Sequence, residues 1–232
     1  MTDYDENYFS QLEKADKIEL PRNLRILKLI EDYCQQGRIL DIGIGTGLFL
    51  QLAKMHGWDC YGIDISEYAI SRLKMHGFKI LKGEFRNSRF KNNFFDVINM
   101  RHSLEHIKDP QEALRKAYQI LKPGGILCIA TPNSFGIHAK LSGKYWPHLS
   151  IPYHLHFFSK KTLSDLVEGM GFKLLNLKTE ELTIYDIFKL ILFRIGIPVS
   201  YQNPSKVSKI FNQILAKIGL GEGLVLIAKK ET

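Results

Sequence analysis

Asp41, Gly43, Gly45 and Gly47 stand together in "LDIGIGTG", where a short apolar run meets a segment of helical spacing. Glycines two apart let the main chain approach a ligand closely and take positive φ angles. The dinucleotide fingerprint G-x-G-x-x-G/A is met at Gly43 and Gly45, but Leu48 holds its third position. The triphosphate-binding pattern G-x-x-x-x-G-K-[ST] is absent. A tight strand-to-helix turn that binds nothing would use the same glycines. Asp64, at the end of "CYGID" and 21 residues beyond Gly43, favours a ligand. An acid at the tip of the second strand is where a ribose diol is held. A carboxylate can accept from two hydroxyls at once. Capping the next helix is the other duty open to Asp64, and Ser66 can perform that instead.

Two further groups could do chemistry. His102 to His106 reads H-x-x-E-H, a zinc-protease spelling. That chemistry needs both histidines on one face of a substantial helix and a further ligand. Here the segment lies between a strand and the helix N-cap at Asp109. We therefore expect no metal, and read Glu105 and His106 as structural polar residues at a strand end. "YWPHLSIPYHLHFF" places His148, His154 and His156 among Tyr145, Trp146, Tyr153, Phe157 and Phe158. Aromatics with a few polar groups suit a substrate wall, and equally suit a packed junction. His154 and His156 are the candidates for a general base toward a hydroxyl or amine.

These residues must be positioned by alternating elements. Strands are expected at Arg38–Ile42, Asp59–Asp64, Lys79–Lys82, Phe95–Met100 and Ile126–Thr131. Helices are expected at Thr46–His56, Glu67–His76, Pro110–Leu121 and Lys160–Met170. Such alternation predicts an α/β fold with a parallel sheet and helices on both faces. The strands are nearly continuous apolar runs, as doubly covered strands are. Asp109, Pro110 and Glu112 form a helix start, and Pro123 and Gly124 a stop before Gly125 leads into the next strand. Ser159 and Gly171 bracket a later helix. Beyond Leu175 the pattern changes to two helices, Leu182–Ile195 and Ser205–Gly219, inserted before a last strand in "GEGLVLIAKK". The insertion, Leu182 to Gly219, carries five basic residues and one acid. It could pack on its own domain, cover the site, form a dimer face or make peripheral contact with an anionic membrane.

The chain has 232 residues, enough for one large domain with a full core. Its net charge of +8 is spread without any Lys/Arg block, so nothing singles out a polyanion as partner. Cys34, Cys60 and Cys128 are odd in number and far apart, which excludes a disulfide framework. Leu182–Val199 contains Asp186, Lys189, Arg194 and Pro198 and makes a poor membrane span. The opening residues are acidic and polar, unlike a secretory signal. A cytoplasmic protein is expected.

From Arg38 to Phe172 the chain resembles the class I S-adenosylmethionine-dependent methyltransferases. "LDIGIGTG" is similar to their glycine loop and "GIDIS" to their ribose strand. "FDVI", "LEHI.DP", "LKPGG" and "HLHFFSKKTLSDLVEGMGF" resemble the subgroup with quinone-biosynthesis and sugar O-methyltransferases. The resemblance implies a Rossmann-like doubly wound sheet of seven strands, mostly parallel, with an antiparallel last strand. It implies one domain over residues 1–232: a helical cap at 1–36, a cofactor-binding core at 37–178, the helical insertion at 179–220 and a last strand at 221–232. It implies S-adenosylmethionine as cofactor, with Asp41, Gly43, Gly45 and Gly47 in the loop. Asp64 would hold the ribose, Ile65, Glu84 and Phe85 would meet the adenine, and Met100, Arg101 and His102 would lie beside the methionine part. Glu84 departs from the aspartate common there. The N-terminal segment, Tyr4 to Leu29, with Tyr8, Phe9 and Arg22, would close over the cofactor. The implied acceptor is a small molecule, a sugar or a lipid-linked group. "NMRH" stands where base-modifying relatives carry an N-P-P-Y-like tetrad, which argues against nucleic acid. An NAD-dependent oxidoreductase and a non-catalytic S-adenosylmethionine-binding protein are the alternatives.

Overall fold

The computed structural model describes residues 6–74, 76–180, 187–197 and 205–231. The apolar runs become β1 (Arg38–Ile42), β2 (Asp59–Asp64), β3 (Lys79–Lys82), β4 (Phe95–Arg101) and β5 (Leu121–Pro132). β6 (Phe172–Glu180) and β7 (Gly223–Lys230) complete one sheet in the order β3-β2-β1-β4-β5-β7-β6. β1 to β5 are parallel, and β7 runs antiparallel between β5 and β6. This is the doubly wound seven-stranded sheet that the resemblance implies. The chain builds outward from β1 to β3, then returns to lay β4 on the other side of β1. The crevice beyond the carboxyl ends of β1 and β4 is the switch point where open α/β sheets take ligands.

Successive strand side chains point to opposite faces, and both faces are covered. Ile39, Val97, Ile126 and Ile227 join Leu27 and Ile30 of α1 (Glu6–Glu31), Leu50 and Ala53 of α2 (Leu48–Met55) and Leu73 of α3 (Glu67–Lys74). Leu40, Ile98, Leu127 and Leu226 pack with Leu114 and Ala117 of α4 (Pro110–Ile120) and Leu163 and Val167 of α6 (Lys160–Glu168). A short α5 (Ile137–Ser142) follows β5. α7 (Ile187–Arg194) and α8 (Lys206–Lys217) lie between β6 and β7.

Local punctuation explains most boundaries. Asp109 caps α4 by accepting from the Glu112 N–H at 2.9 Å, with Pro110 at the first position. Ser159 and Thr162 cap α6 reciprocally. "LKPGG" behaves differently from its expected role as a stop. α4 ends at Ile120, Leu121 already pairs with Phe95, and Gly124 turns at φ +78 before the ladder resumes at Ile126. β6 has no clean alternation because it is an edge strand with a register shift between Leu174 and Asn176. Residues 182–186 of the expected first insertion helix, Tyr4, and the side chains of Tyr8 and Phe9 lie outside the described part. No helix among the described residues is long and apolar enough to cross a membrane.

Gly47 shows how tightly the glycine loop is tied to the fold. It caps α2 at φ +81, and a Cβ there would sit 2.5 Å from a Leu73 methyl on α3. Gly47→Ala therefore combines left-handed strain with overpacking, a cost of about 3 kcal/mol. The thermal midpoint should fall by roughly 6–12 °C. An unchanged midpoint would refute the packing role.

Candidate functional site

A cavity of about 320 Å³ opens at the carboxyl ends of β1, β2 and β4. Its floor is Ile42, Gly43 and Gly45. Ile63 to Ser66 form one side, Gly83 to Arg86 a second, and His102, Ser103 and His106 to Asp109 a third. Gly43 has φ +79, and a Cβ on it would lie 2.8 Å from the Ser103 Cβ, so that strand end and loop close on each other only through glycine. Gly45 has φ +51, yet a Cβ there would meet nothing within 4 Å. Its bare main chain faces open space in the cavity.

Asp64 holds the turn from its other side. Oδ1 accepts from the Ser66 N–H at 2.8 Å and Oδ2 from the Gly45 N–H at 3.4 Å. Burial raises its pKa, and these N–H groups only partly offset that. Ser66 Oγ accepts from the Ala69 N–H, so the serine caps α3 and the aspartate does not. Ile65 is 50% exposed at the cavity rim, opposite the buried Phe85. The Glu84 carboxylate pairs with Arg86 Nε.

Asp41 lies buried beneath the loop and accepts from Asn99 Nδ2 at 2.7 Å. Burial pushes its carboxyl up to about 7, against the lowering effect of the Asn99 bond. The folded value lies above the ordinary 3.8. Its contribution to stability is thus complete below that ordinary value and is lost as pH rises through about 7. Asp41→Asn removes this loss. The variant should gain on the wild type between about pH 4 and pH 7, by up to about 4 kcal/mol at full titration. Parallel curves of thermal midpoint against pH would rule this out.

At the tip of β4 the chain makes an uncommon turn. His102 takes φ +49, with its N–H donating to the Ala130 carbonyl at 2.8 Å. The following 3-10 turn, Leu104–His106, buries Leu104 and Glu105 and leaves His106 on the cavity side. Glu105 Oε2 accepts from Thr131 Oγ1 at 3.1 Å, and Oε1 lies 3.5 Å from His102 Nδ1. Burial works to raise the Glu105 pKa, but His102 beside it brings the net below the ordinary value. The Glu105 carbonyl accepts from the N–H groups of Leu155 and His156, which fastens the histidine-rich segment to the strand tip. His106 Nδ1 faces the Tyr153 carbonyl at 2.9 Å, and its ring meets that of His154 edge-on at 4.7 Å. His154 Nδ1 faces the His148 carbonyl at 2.6 Å, and burial chiefly lowers its pKa. Glu105, His106 and His154 each bring a ligand-type atom within 4.8 Å of the others. The zinc spelling would instead have joined His102 to His106.

Of the residues expected at the cofactor, Gly43, Gly45, Asp64, Ile65, Glu84, Phe85 and His102 line the cavity. Asp41, Gly47, Met100 and Arg101 do not. Met100 is wholly buried, and Arg101 Nη1 pairs with Glu19 Oε2 of α1 at 3.1 Å. That pair ties the N-terminal helix to the β4 tip, and Glu19 also pairs with Arg22 within the helix. His154 stands behind His106. His156 lines an adjoining depression, which shares Arg86, Lys108 and Asp109 with the cavity, and its Nε2 lies 3.3 Å from the Lys108 carbonyl. Sequence reasoning missed Ser103, His106, Arg86 and Lys108. The signal for His106 was its place beside Glu105: when a short turn buries the acid, its neighbour is left to face the other way.

A family model described as a methyltransferase domain matches residues 13–177. A ubiquinone biosynthesis O-methyltransferase of Marinobacter nauticus is 29% identical over 163 residues, 63% of this chain and 66% of that one. Phosphoethanolamine N-methyltransferase 2 of Caenorhabditis elegans is 29% identical over 171 residues, 69% of this chain and 38% of that one. The matches thus span less than two thirds of either relative. Among solved structures, a methyltransferase of Thermotoga maritima, described as a possible histamine N-methyltransferase, superposes with a TM-score of 0.67. It shares 24% identity, over 97% of both chains. Phosphoethanolamine N-methyltransferase 2 of Haemonchus contortus, solved with S-adenosylmethionine, gives a TM-score of 0.64 at 22% identity, over 91% of this chain and 53% of that one. At these identities the structural likeness is one of fold.

Proposed function

The chain belongs to the methyltransferase-domain family, class I and S-adenosylmethionine-dependent, and on that premise we propose that it methylates a hydroxyl of a small-molecule, sugar or lipid-linked acceptor. The supporting observation is the meeting of Gly45 and Asp64 on the lining of one cavity, the first open at its Cβ position and the second at the β2 tip. These residues fit the cofactor. The bare loop would admit it, the Asp64 carboxylate would accept from the ribose hydroxyls, and Ile65 and Phe85 would meet the adenine. Glu84 and His102 complete the walls. Because Arg101 is engaged by Glu19, the methionine carboxylate would be left to the first-turn N–H groups of α2.

When bound, S-adenosylmethionine supplies a methyl group on a positively charged sulfur for in-line attack. The chain's own work is to position the acceptor and exclude water. A hydroxyl acceptor must give up a proton, and we move that duty from His154 and His156 to His106, which lines the cavity. With Nδ1–H donated to the Tyr153 carbonyl, His106 Nε2 carries the free lone pair. His154, its pKa lowered by burial, packs behind it as a neutral ring.

Calorimetry with S-adenosylhomocysteine and NAD⁺ in parallel tests the cofactor reading. Micromolar-range binding of the first alone is expected. Binding of NAD⁺ instead, or of neither, would overturn it.

A further inference from the structure

α8 sits on the domain the wrong way round for a buried helix. Ser208, Asn212 and Leu215 are 0, 2 and 6% exposed, while Val207, Ile210, Ile214 and Ile218 are 67, 60, 50 and 64% exposed. Their spacing of three and four residues makes one apolar stripe, which an ordinary surface helix turns toward its core. The inner side of α8 is held by Thr179 Oγ1 donating to the Ala216 carbonyl at 2.6 Å. α7 contacts α8 and adds Ile191 and Ile195, 41 and 67% exposed.

Among the described residues, the charge on these two helices has one sign. Residues 187–197 and 205–221 contain Lys189, Arg194, Lys206, Lys209 and Lys217 and no acid. Lys206, Lys209 and Lys217 are exposed. In a twofold dimer the same patch meets itself, so these cations would be set against their own copies. An anionic surface meets no such repulsion.

We propose that this face docks on an anionic lipid bilayer. α8 lies in the interface plane, with Val207, Ile210, Ile214 and Ile218 in the acyl boundary and the lysines among the headgroups. The contact is peripheral, since no described helix can cross a membrane. α5 follows the carboxyl end of β5, the end of the sheet where the cavity opens, and α7 packs on α5. Arg194 Nη1 fastens α7 there by donating to the Lys140 and Leu141 carbonyls at 3.1 and 2.7 Å. Docking therefore brings the cavity end of the sheet toward the bilayer. The inference rests on these helices and not on the methyl-transfer reading.

Flotation of the full chain with phosphatidylcholine vesicles, with and without phosphatidylglycerol, is the test. Binding to the mixed vesicles is expected, at least about tenfold weaker without the anionic lipid and weakened by salt. The pair Ile210→Asn and Ile214→Asn should lower it at least about tenfold. Lys206→Gln with Lys209→Gln and Lys217→Gln should lower it about a hundredfold. Unchanged S-adenosylhomocysteine affinity in each variant reports an intact fold. No flotation with either vesicle, or equal flotation with both, overturns the proposal. So does a dimer in sedimentation that Ile210→Asn dissolves, which would make a second copy the occupant.

Discussion

Asp64→Ala is expected to weaken S-adenosylhomocysteine binding at least about a hundredfold, because it removes up to two charge-assisted hydrogen bonds worth roughly 1.5–3 kcal/mol each. The same carboxylate holds the Ser66 and Gly45 N–H groups. The alanine variant therefore also loosens the loop against which the ligand lies. Asp64→Asn keeps one acceptor oxygen and much of this geometry, and should lose about tenfold. Since burial holds the Asp64 pKa above its ordinary value, affinity should decline on acidification sooner than for an exposed aspartate. Calorimetry reads the affinities, and a thermal melt shows whether each variant is folded. An alanine variant that is folded and binds within threefold of the wild type would remove Asp64 from the site.

The second large effect concerns turnover. With an acceptor identified by methyl-transfer screening, His106→Ala should lower kcat by about 10²–10⁴, the usual contribution of a positioned base. Its S-adenosylhomocysteine affinity should stay within a few-fold of the wild type. His154→Ala should have a smaller effect, through the packing of the two rings 4.7 Å apart. His156→Ala should have little, since its ring lines the adjoining depression and not the cavity. A normal kcat for His106→Ala, with a loss for His156→Ala, would return the base to the outer histidine.

Much of this was legible in the order of residues. β1 and β2 have the limits that their apolar runs and flanking glycines set, because burial on both faces of a parallel strand leaves a continuous local signal. The helix caps at Asp109 and Ser159 were readable because a cap bond spans only three residues. Asp64 could be placed opposite the glycine loop because one strand–helix–strand unit has a nearly constant length, so chain spacing translates into position.

What needed the tertiary structure was every property set by residues far apart in the chain. Gly43 and Gly47 carry the same residue type in one loop, but Ser103 makes the first a close approach and Leu73 the second a packing contact. Arg101 was expected beside the cofactor, and Glu19, 82 positions earlier, claims it instead. His106 faces the cavity because Glu105 is drawn into the core by Thr131 and His102. The periodicity of α8 specified an apolar stripe but not its direction. Burying Ser208 and Asn212 against the sheet turned the stripe outward. Sequence by itself thus determined the elements, their order and the ligand end of the sheet, all of which follow from local patterning. The fold decided which side chains share a cavity and which face is left exposed, because those depend on the free energy of contacts that no local window contains.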